Sequence, residues 1–208
     1  MKIAVIGANG KSGQLLVKEA IARGHEVTAI VRSANKSLAE KVLQRDALKL
    51  SRKELLEFDV VINAFGAWTT ETLHDHSRLA EHLIHILAGS SVHLLIVGGA
   101  GSLYLDESRS LTLMETPDFP EAYLPVAKAT GDALAIYRQA KNVEWTYLSP
   151  AADFVADGER TGQYYLAGEV FQVNTEGQSR ISYADYALAM LDLVEKGEPR
   201  QARVSVYS

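Results

Sequence analysis

The chain has no cysteine, which removes disulfides, thiolate metal sites and thiol nucleophiles together and suits a reducing compartment. Proline is scarce, 5 in 208 residues, and no repeat or low-complexity tract breaks the pattern, so neither a disordered nor a fibrous chain fits. No apolar run approaches the roughly 18 to 20 residues that a membrane helix needs. Basic residues form no block or stripe: Lys+Arg number 21 against Asp+Glu 26, a net charge of −5. Nothing is therefore available to neutralise a phosphate backbone, and nucleic acid is not an expected partner. Met1 runs into a short strand-like segment rather than the basic and apolar regions of a signal peptide. The expectation is a cytoplasmic protein without a membrane partner.

What remains is an ordinary globular composition, 47% hydrophobic and 23% charged, long enough to bury a full core. Short Val- and Ile-rich runs alternate with segments of helical period. Strands are expected at Ile3 to Ile6, Glu26 to Val31, Asp59 to Ala64, Val92 to Val97 and Glu144 to Leu148, with a weaker one near Asp46 to Leu50. Between them, helices are expected at Ser12 to Arg23, Ala34 to Leu43, Thr70 to Leu87 and about Val126 to Ala140. This alternation predicts an α/β fold, a Rossmann-like doubly wound parallel sheet. Beyond "LSPAADF", Gly158, Gly162, Gly168 and Gly177 break the alternation and predict loops and a small sheet. A helix framed by Ser182 as N-cap and Gly197 as C-cap follows, then a strand at Ala202 to Val206. No linker divides the chain, so one domain over 1–208 is expected, with a small lobe formed mostly by 151–208.

The first strand enters "GANGKSG" and then a helix. In that context Gly7 allows the tight turn, Gly10 the approach of backbone to a pyrophosphate, and Gly13 close helix-to-strand packing. The orphan amides of Lys11, Ser12 and Gly13 then face the anion at the positive end of the helix dipole. Asn9 belongs to the same loop. A phosphoryl-transfer P-loop is disfavoured because Val5 stands where its first glycine belongs. Roughly 20 residues beyond the glycines, where an NAD site places an acidic residue on the ribose, the chain has Arg32 followed by Ser33. A guanidinium grips a 2′-phosphate with forked, charge-assisted hydrogen bonds, so NADP(H) is expected over NAD(H).

These residues, with "INAFG", "IVGGAGS", "WTYLSPAADF", "RTGQYY" and "ISYADYA" downstream, resemble the atypical short-chain dehydrogenase/reductase superfamily. The resemblance is in particular to its small single-domain NAD(P)H-binding proteins related to biliverdin reductase B and the NmrA-like group. The resemblance implies that Asp46 and Ala47 sit by the adenine, and that Ala64, Phe65 and Gly66 line the adenosine and pyrophosphate path. It places Val97, Gly98 and Gly99 beside the nicotinamide ribose, and Ser149, Pro150 and Ala151 beside the nicotinamide ring. The larger superfamily uses a serine with a tyrosine four residues before a lysine. Here Ser102 is available, but Tyr123 and Lys128 are five apart with Pro125 between them. On a helix that spacing separates them by about 140°, and the proline suggests a helix beginning only near residue 125. Ser102, Tyr123 and Lys128 are therefore weak catalytic candidates.

"HDHSRLAEHLIH" places Asp75, Arg78, His82 and His85 on one helix face, read as a solvated or subunit-facing stripe rather than a metal site. The aromatic stretch holding Tyr164 and Tyr165 is either a flap over the substrate or an anchor of its loop on the core. The expected activity is NADPH-dependent reduction of a small carbonyl, quinone or flavin-like acceptor by a monomer or homodimer. The alternative is a non-catalytic NADP-binding redox sensor of NmrA-like type.

Overall fold

The structure, a computed structural model, describes residues 1–208. Ten strands run in chain order as β1 (Lys2–Ile6), β2 (Glu26–Val31), β3 (Lys41–Gln44), β4 (Val60–Asn63), β5 (His93–Val97), β6 (Glu144–Ser149), β7 (Asp153–Val155), β8 (Tyr165–Ala167), β9 (Arg180–Ser182) and β10 (Ala202–Tyr207). Five helices accompany them: α1 (Lys11–Ala22), α2 (Arg52–Leu55), α3 (Asp75–Leu87), α4 (Leu124–Gln139) and α5 (Tyr183–Lys196). Eight strands form one sheet in the order β3-β2-β1-β4-β5-β6-β10-β8, and β7 pairs with β9 apart from it. All pairs in the large sheet are parallel except β10 with β8. The expected doubly wound Rossmann-like sheet is what the chain forms.

Parallel strands covered on both faces are apolar throughout, and β1 illustrates this. Ile3 and Val5 point to the layer of α1 and α5, whereas Ala4 and Ile6 point to that of α3 and α4. Leu16, Val17 and Ala20 bring one stripe of α1 onto the first layer, and Leu79, Leu83 and Leu87 bring α3 onto the second. The chain passes from β1 outward to β2 and β3, then returns to β4 on the other side of β1. That reversal opens a crevice beyond the carboxyl ends of β1 and β4.

Two segments differ from the sequence expectation. Residues 34–40 form no helix: Asn35 Nδ2 donates to the carbonyls of Ser37 (3.3 Å) and Ala39 (2.9 Å), while its Oδ1 accepts from Ser37 N at 3.0 Å. Such side-chain bonds compete with the helical ladder. The third strand is therefore Lys41–Gln44, and 47–49, read as a weak strand, is a 3₁₀ turn capped by Asp46. Helix α3 starts at Asp75, later than Thr70, and α4 starts at Leu124 with Pro125 in its first turn, as the proline indicated. Ser182 Oγ accepts from Asp185 N, and Gly197 adopts φ 69°, so both expected caps of α5 are present. After Pro150, β8 and β10 join the large sheet and α5 packs on it, so only the β7–β9 pair and the loops around it stand outside. No helix is long and apolar enough to cross a membrane.

Candidate functional site

A cleft of about 1170 Å³ lies over the carboxyl ends of β1, β4, β5 and β6. It exceeds the roughly 300 to 1,000 Å³ usual for a single small ligand. At one end is the glycine turn. Gly7, at φ +76°, donates its N–H to Ile30 O at 3.1 Å, and a Cβ there would lie 2.6 Å from Ala64 O. Gly10 is the N-cap of α1 and brings no side chain, so nothing covers the amides of the first helical turn, which also lacks an acidic residue. Lys11 stands at the mouth, in a loose, exposed pairing with Asp157 at 3.7 Å.

At the end of β2, Arg32 and Ser33 line the cleft, and no carboxylate engages the exposed Arg32 guanidinium. Asn9 ties the two loops together. Its Nδ2 donates to Ala34 O at 2.9 Å and to Ser33 Oγ at 3.3 Å, and its Oδ1 accepts from Lys36 N at 2.7 Å. Asp46 and the buried Ala47 form the adjoining wall, Asp46 Oδ1 accepting from Leu48 N at 2.9 Å and leaving its second oxygen free of protein partners.

Beyond β4, Ala64, Phe65 and Gly66 line the middle of the cleft. Asn63 Oδ1 accepts from Phe65 N at 3.1 Å, and the Phe65 ring meets the His76 ring edge-on at 5.4 Å. Burial lowers the His76 pKa, and its Nε2 lies 3.2 Å from Ala67 O. Beyond β5, Val97, Gly98 and Gly99 form the floor, with Tyr147 directly beneath. A Cβ on Gly98 would lie 2.1 Å from that ring, and Gly99 N donates to Tyr147 Oη at 3.1 Å. Pro150 and Ala151 continue the wall after β6. Phe154 follows, its ring 3.9 Å from that of Tyr183 on α5. Burial, with Asp157 and Tyr123 nearby, raises the Tyr183 pKa. Leu113, Phe119 and Tyr123 reach this end from the segment before α4, and Trp68, 69% exposed, faces it from the β4 side.

A family model described as NAD(P)H-binding matches residues 7–196. The chain belongs to the NAD(P)H-binding family. Uncharacterized protein YwnB of Bacillus subtilis (strain 168) is 46% identical over 211 residues, spanning 100% of this chain and 99% of that protein. The crystal structure of a "putative NADH-flavin reductase" from Streptococcus pneumoniae TIGR4 shares 52% identity, with a TM-score of 0.98 over 100% of this chain and 99% of that one. The crystal structure of a "putative epimerase" from Bacteroides thetaiotaomicron shares 38% identity and a TM-score of 0.85, over 99% and 96% of the two chains. The NAD(P)H-binding character that the motifs implied is what the family match shows.

For an NAD(P)H-binding chain, the position of each expected residue is informative. All of the expected cofactor-contacting residues line the cleft except Gly13 and Ser149. Gly13 is buried against the turn, where a Cβ would lie 2.3 Å from Gly7 O, so its part is packing. Ser149 is wholly buried in β6, with no hydrogen-bond partner for its Oγ and no surface on the cleft. Of the catalytic candidates only Tyr123 reaches the cleft, as a rim residue 59% exposed. Ser102 Oγ accepts from Arg203 Nη1 at 2.9 Å, and Arg203 is also paired with Glu169. Lys128 is exposed on α4, away from the cleft.

Tyr164 and Tyr165 do not cover the cleft. Tyr164 donates to Asp192, and Tyr165 stacks near Tyr207 at 5.5 Å, so both anchor the loop. On α3, Arg78 pairs with Asp75 at 2.7 Å, while His82 Nε2 donates to Leu50 O at 2.7 Å, which makes that stripe partly internal. No three His, Asp or Glu side chains converge to hold a metal ion. Reading the sequence missed Trp68, His76, Phe119, Phe154 and Tyr183 as cleft residues. The "SPAADF" and "ISYADYA" motifs held a usable signal for the last two.

Proposed function

We propose that this protein is an NADPH-dependent reductase that passes a hydride to a small acceptor, a carbonyl, quinone or flavin-like ring. The observation that carries the reading is one continuous cleft joining the glycine turn, the unpaired Arg32 and an aromatic chamber of Trp68, Tyr123, Phe154 and Tyr183. The Streptococcus pneumoniae relative described as a "putative NADH-flavin reductase" supports the acceptor class. The bare start of α1 and the side-chain-free Gly10 fit a pyrophosphate, and Arg32 with Ser33 fits a ribose 2′-phosphate. Asp46 and Ala47 border the adenine, and Ala64, Phe65 and Gly66 the path onward. Val97, Gly98 and Gly99 support the second ribose, with Pro150 and Ala151 against the nicotinamide ring.

When bound, the nicotinamide supplies the hydride. The chain's own part is to hold donor and acceptor in register and to keep water from the transfer path with apolar walls. Ser102 is engaged by Arg203 and Lys128 lies outside, so neither reaches a reacting oxygen. A flavin or quinone, which takes its proton from water, suits such a site better than a ketone needing a positioned acid.

Incubation of purified protein with NADPH and a panel of quinones, flavins and aldehydes, following loss of nicotinamide absorbance, tests the reading. Turnover on at least one acceptor is expected. Tight NADPH binding with turnover on none would replace the reductase with a non-catalytic redox sensor.

A further inference from the structure

Asn9 sits in the glycine turn, yet its side chain points toward the neighbouring loop. Both of its polar ends are used: Nδ2 donates to Ala34 O and Ser33 Oγ, and Oδ1 accepts from Lys36 N. Its own carbonyl accepts from Gln14 Nε2 at 3.0 Å, which fixes the residue to α1. The loop it holds has no helix or strand of its own between Val31 and Lys41, and Asn35 organises only the far half, from Ser37 to Ala39. The near half carries Arg32 and Ser33 into the cleft; Asn9 anchors it at Ser33, Ala34 and Lys36, and a longer bond from Gln44 Nε2 to Arg32 O, 3.4 Å, ties its start to β3.

We infer that Asn9 is the positioning residue for cofactor specificity, making the pyrophosphate turn and the loop bearing Arg32, Ser33 and Lys36 one preorganised unit. This rests on the assignment of Arg32 and Ser33 to a 2′-phosphate. The groups bonded to Asn9 are exposed, so water replaces these bonds when the side chain is removed and the fold survives. What is lost is position: a loop ordered only on binding subtracts its ordering entropy from affinity. That loss falls on the dinucleotide whose extra phosphate the loop contacts.

Binding of NADPH and NADH to the full chain and to Asn9→Ala and Arg32→Ala, by calorimetry, tests this, with amide hydrogen exchange at Lys36 as a second readout. Asn9→Ala is expected to weaken NADPH about tenfold and NADH less than about threefold. Lys36 amide protection should be lost and the melting temperature nearly kept. Equal weakening of both cofactors would overturn the inference and leave Asn9 as a shaper of the glycine turn only. A wild-type chain without preference, unaltered by Arg32→Ala, would overturn the 2′-phosphate assignment and this inference with it. A preference abolished by Arg32→Ala but kept by Asn9→Ala would overturn the role of Asn9 alone.

Discussion

Gly10 and Gly13 belong to one motif, yet adding a single methyl to each should damage different properties. A Cβ on Gly13 would lie 2.3 Å from Gly7 O and 2.9 Å from Ala8 Cα, both backbone atoms of the turn that cannot swing aside. Overpacking of this kind costs about 1 to 3 kcal/mol and sometimes more. The contact is well inside van der Waals distance, so the upper part of that range applies, offset by about 1 kcal/mol of improved helix propensity. A net loss of about 2 kcal/mol or more lowers the melting temperature by about 4 to 8 °C in a chain of this size. Gly10 differs. Its φ of −70° and ψ of 161° suit alanine, and its Cβ would meet only Gly7 O, at 3.3 Å. Gly10→Ala should therefore stay within about 1 kcal/mol of wild-type stability, the reduced freedom of the unfolded chain offsetting the contact. Its methyl stands between a pyrophosphate and the first amides of α1, so NADPH affinity should fall at least about tenfold. Thermal melts and calorimetric titrations of both variants, the titrations run well below either midpoint, make the comparison. Wild-type affinity in Gly10→Ala, or wild-type stability in Gly13→Ala, would refute the division of labour.

Other expectations follow from the same geometry. Arg32→Ala should weaken NADPH about tenfold or more and leave NADH nearly unchanged in a binding titration, since a charge-assisted hydrogen bond contributes about 1.5 to 3 kcal/mol. Lys128→Ala should keep turnover within about twofold, because the side chain is exposed away from the cleft; a large loss in a steady-state assay would restore a catalytic part. Asp185 is buried and accepts from the Thr161 and Gly162 amides and the Thr161 hydroxyl, so Asp185→Ala should cost about 1.5 to 3 kcal/mol in urea unfolding, the net worth of hydrogen bonds to a charged group. Burial, aided by Arg200, pushes the His93 pKa down to about 4. Between that value and the usual 6.5 the unfolded chain binds the extra proton, so stability should fall as pH drops from about 6.5 to 4, by about 3 kcal/mol in all. In His93→Asn, urea midpoints should lose that portion of their pH dependence.

Much of the sheet was legible because buried parallel strands are short, apolar and β-branched, and "KIAVI", "EVTAIV" and "HLLIV" have no competing period. The caps of α5 were legible for a local reason, since Ser182 and Gly197 act on their own helix. The 34–43 segment misled because its conformation is set by asparagines bonding backbone, one of them Asn9 from another loop. The glycine turn and Arg32 were found by spacing along the chain. Trp68, His76 and Phe119 reach the same cleft from three separate segments with no common period, and only the topology brings them together. Ser102 and Ser149 carried the right residue type into surroundings, Arg203 in one case and the strand interior in the other, that no local pattern announces.

Whether one cleft holds NADPH with its reactive face toward the aromatic chamber is decided by a crystal structure of the protein with NADP bound. The pyrophosphate is expected at the amides of Lys11 and Ser12, the 2′-phosphate on Arg32 and Ser33, and the nicotinamide between Gly98 and Pro150, facing Phe154 and Tyr183. A dinucleotide seated elsewhere, or one in this cleft with its 2′-phosphate turned from Arg32 and its nicotinamide away from the chamber, would contradict this placement.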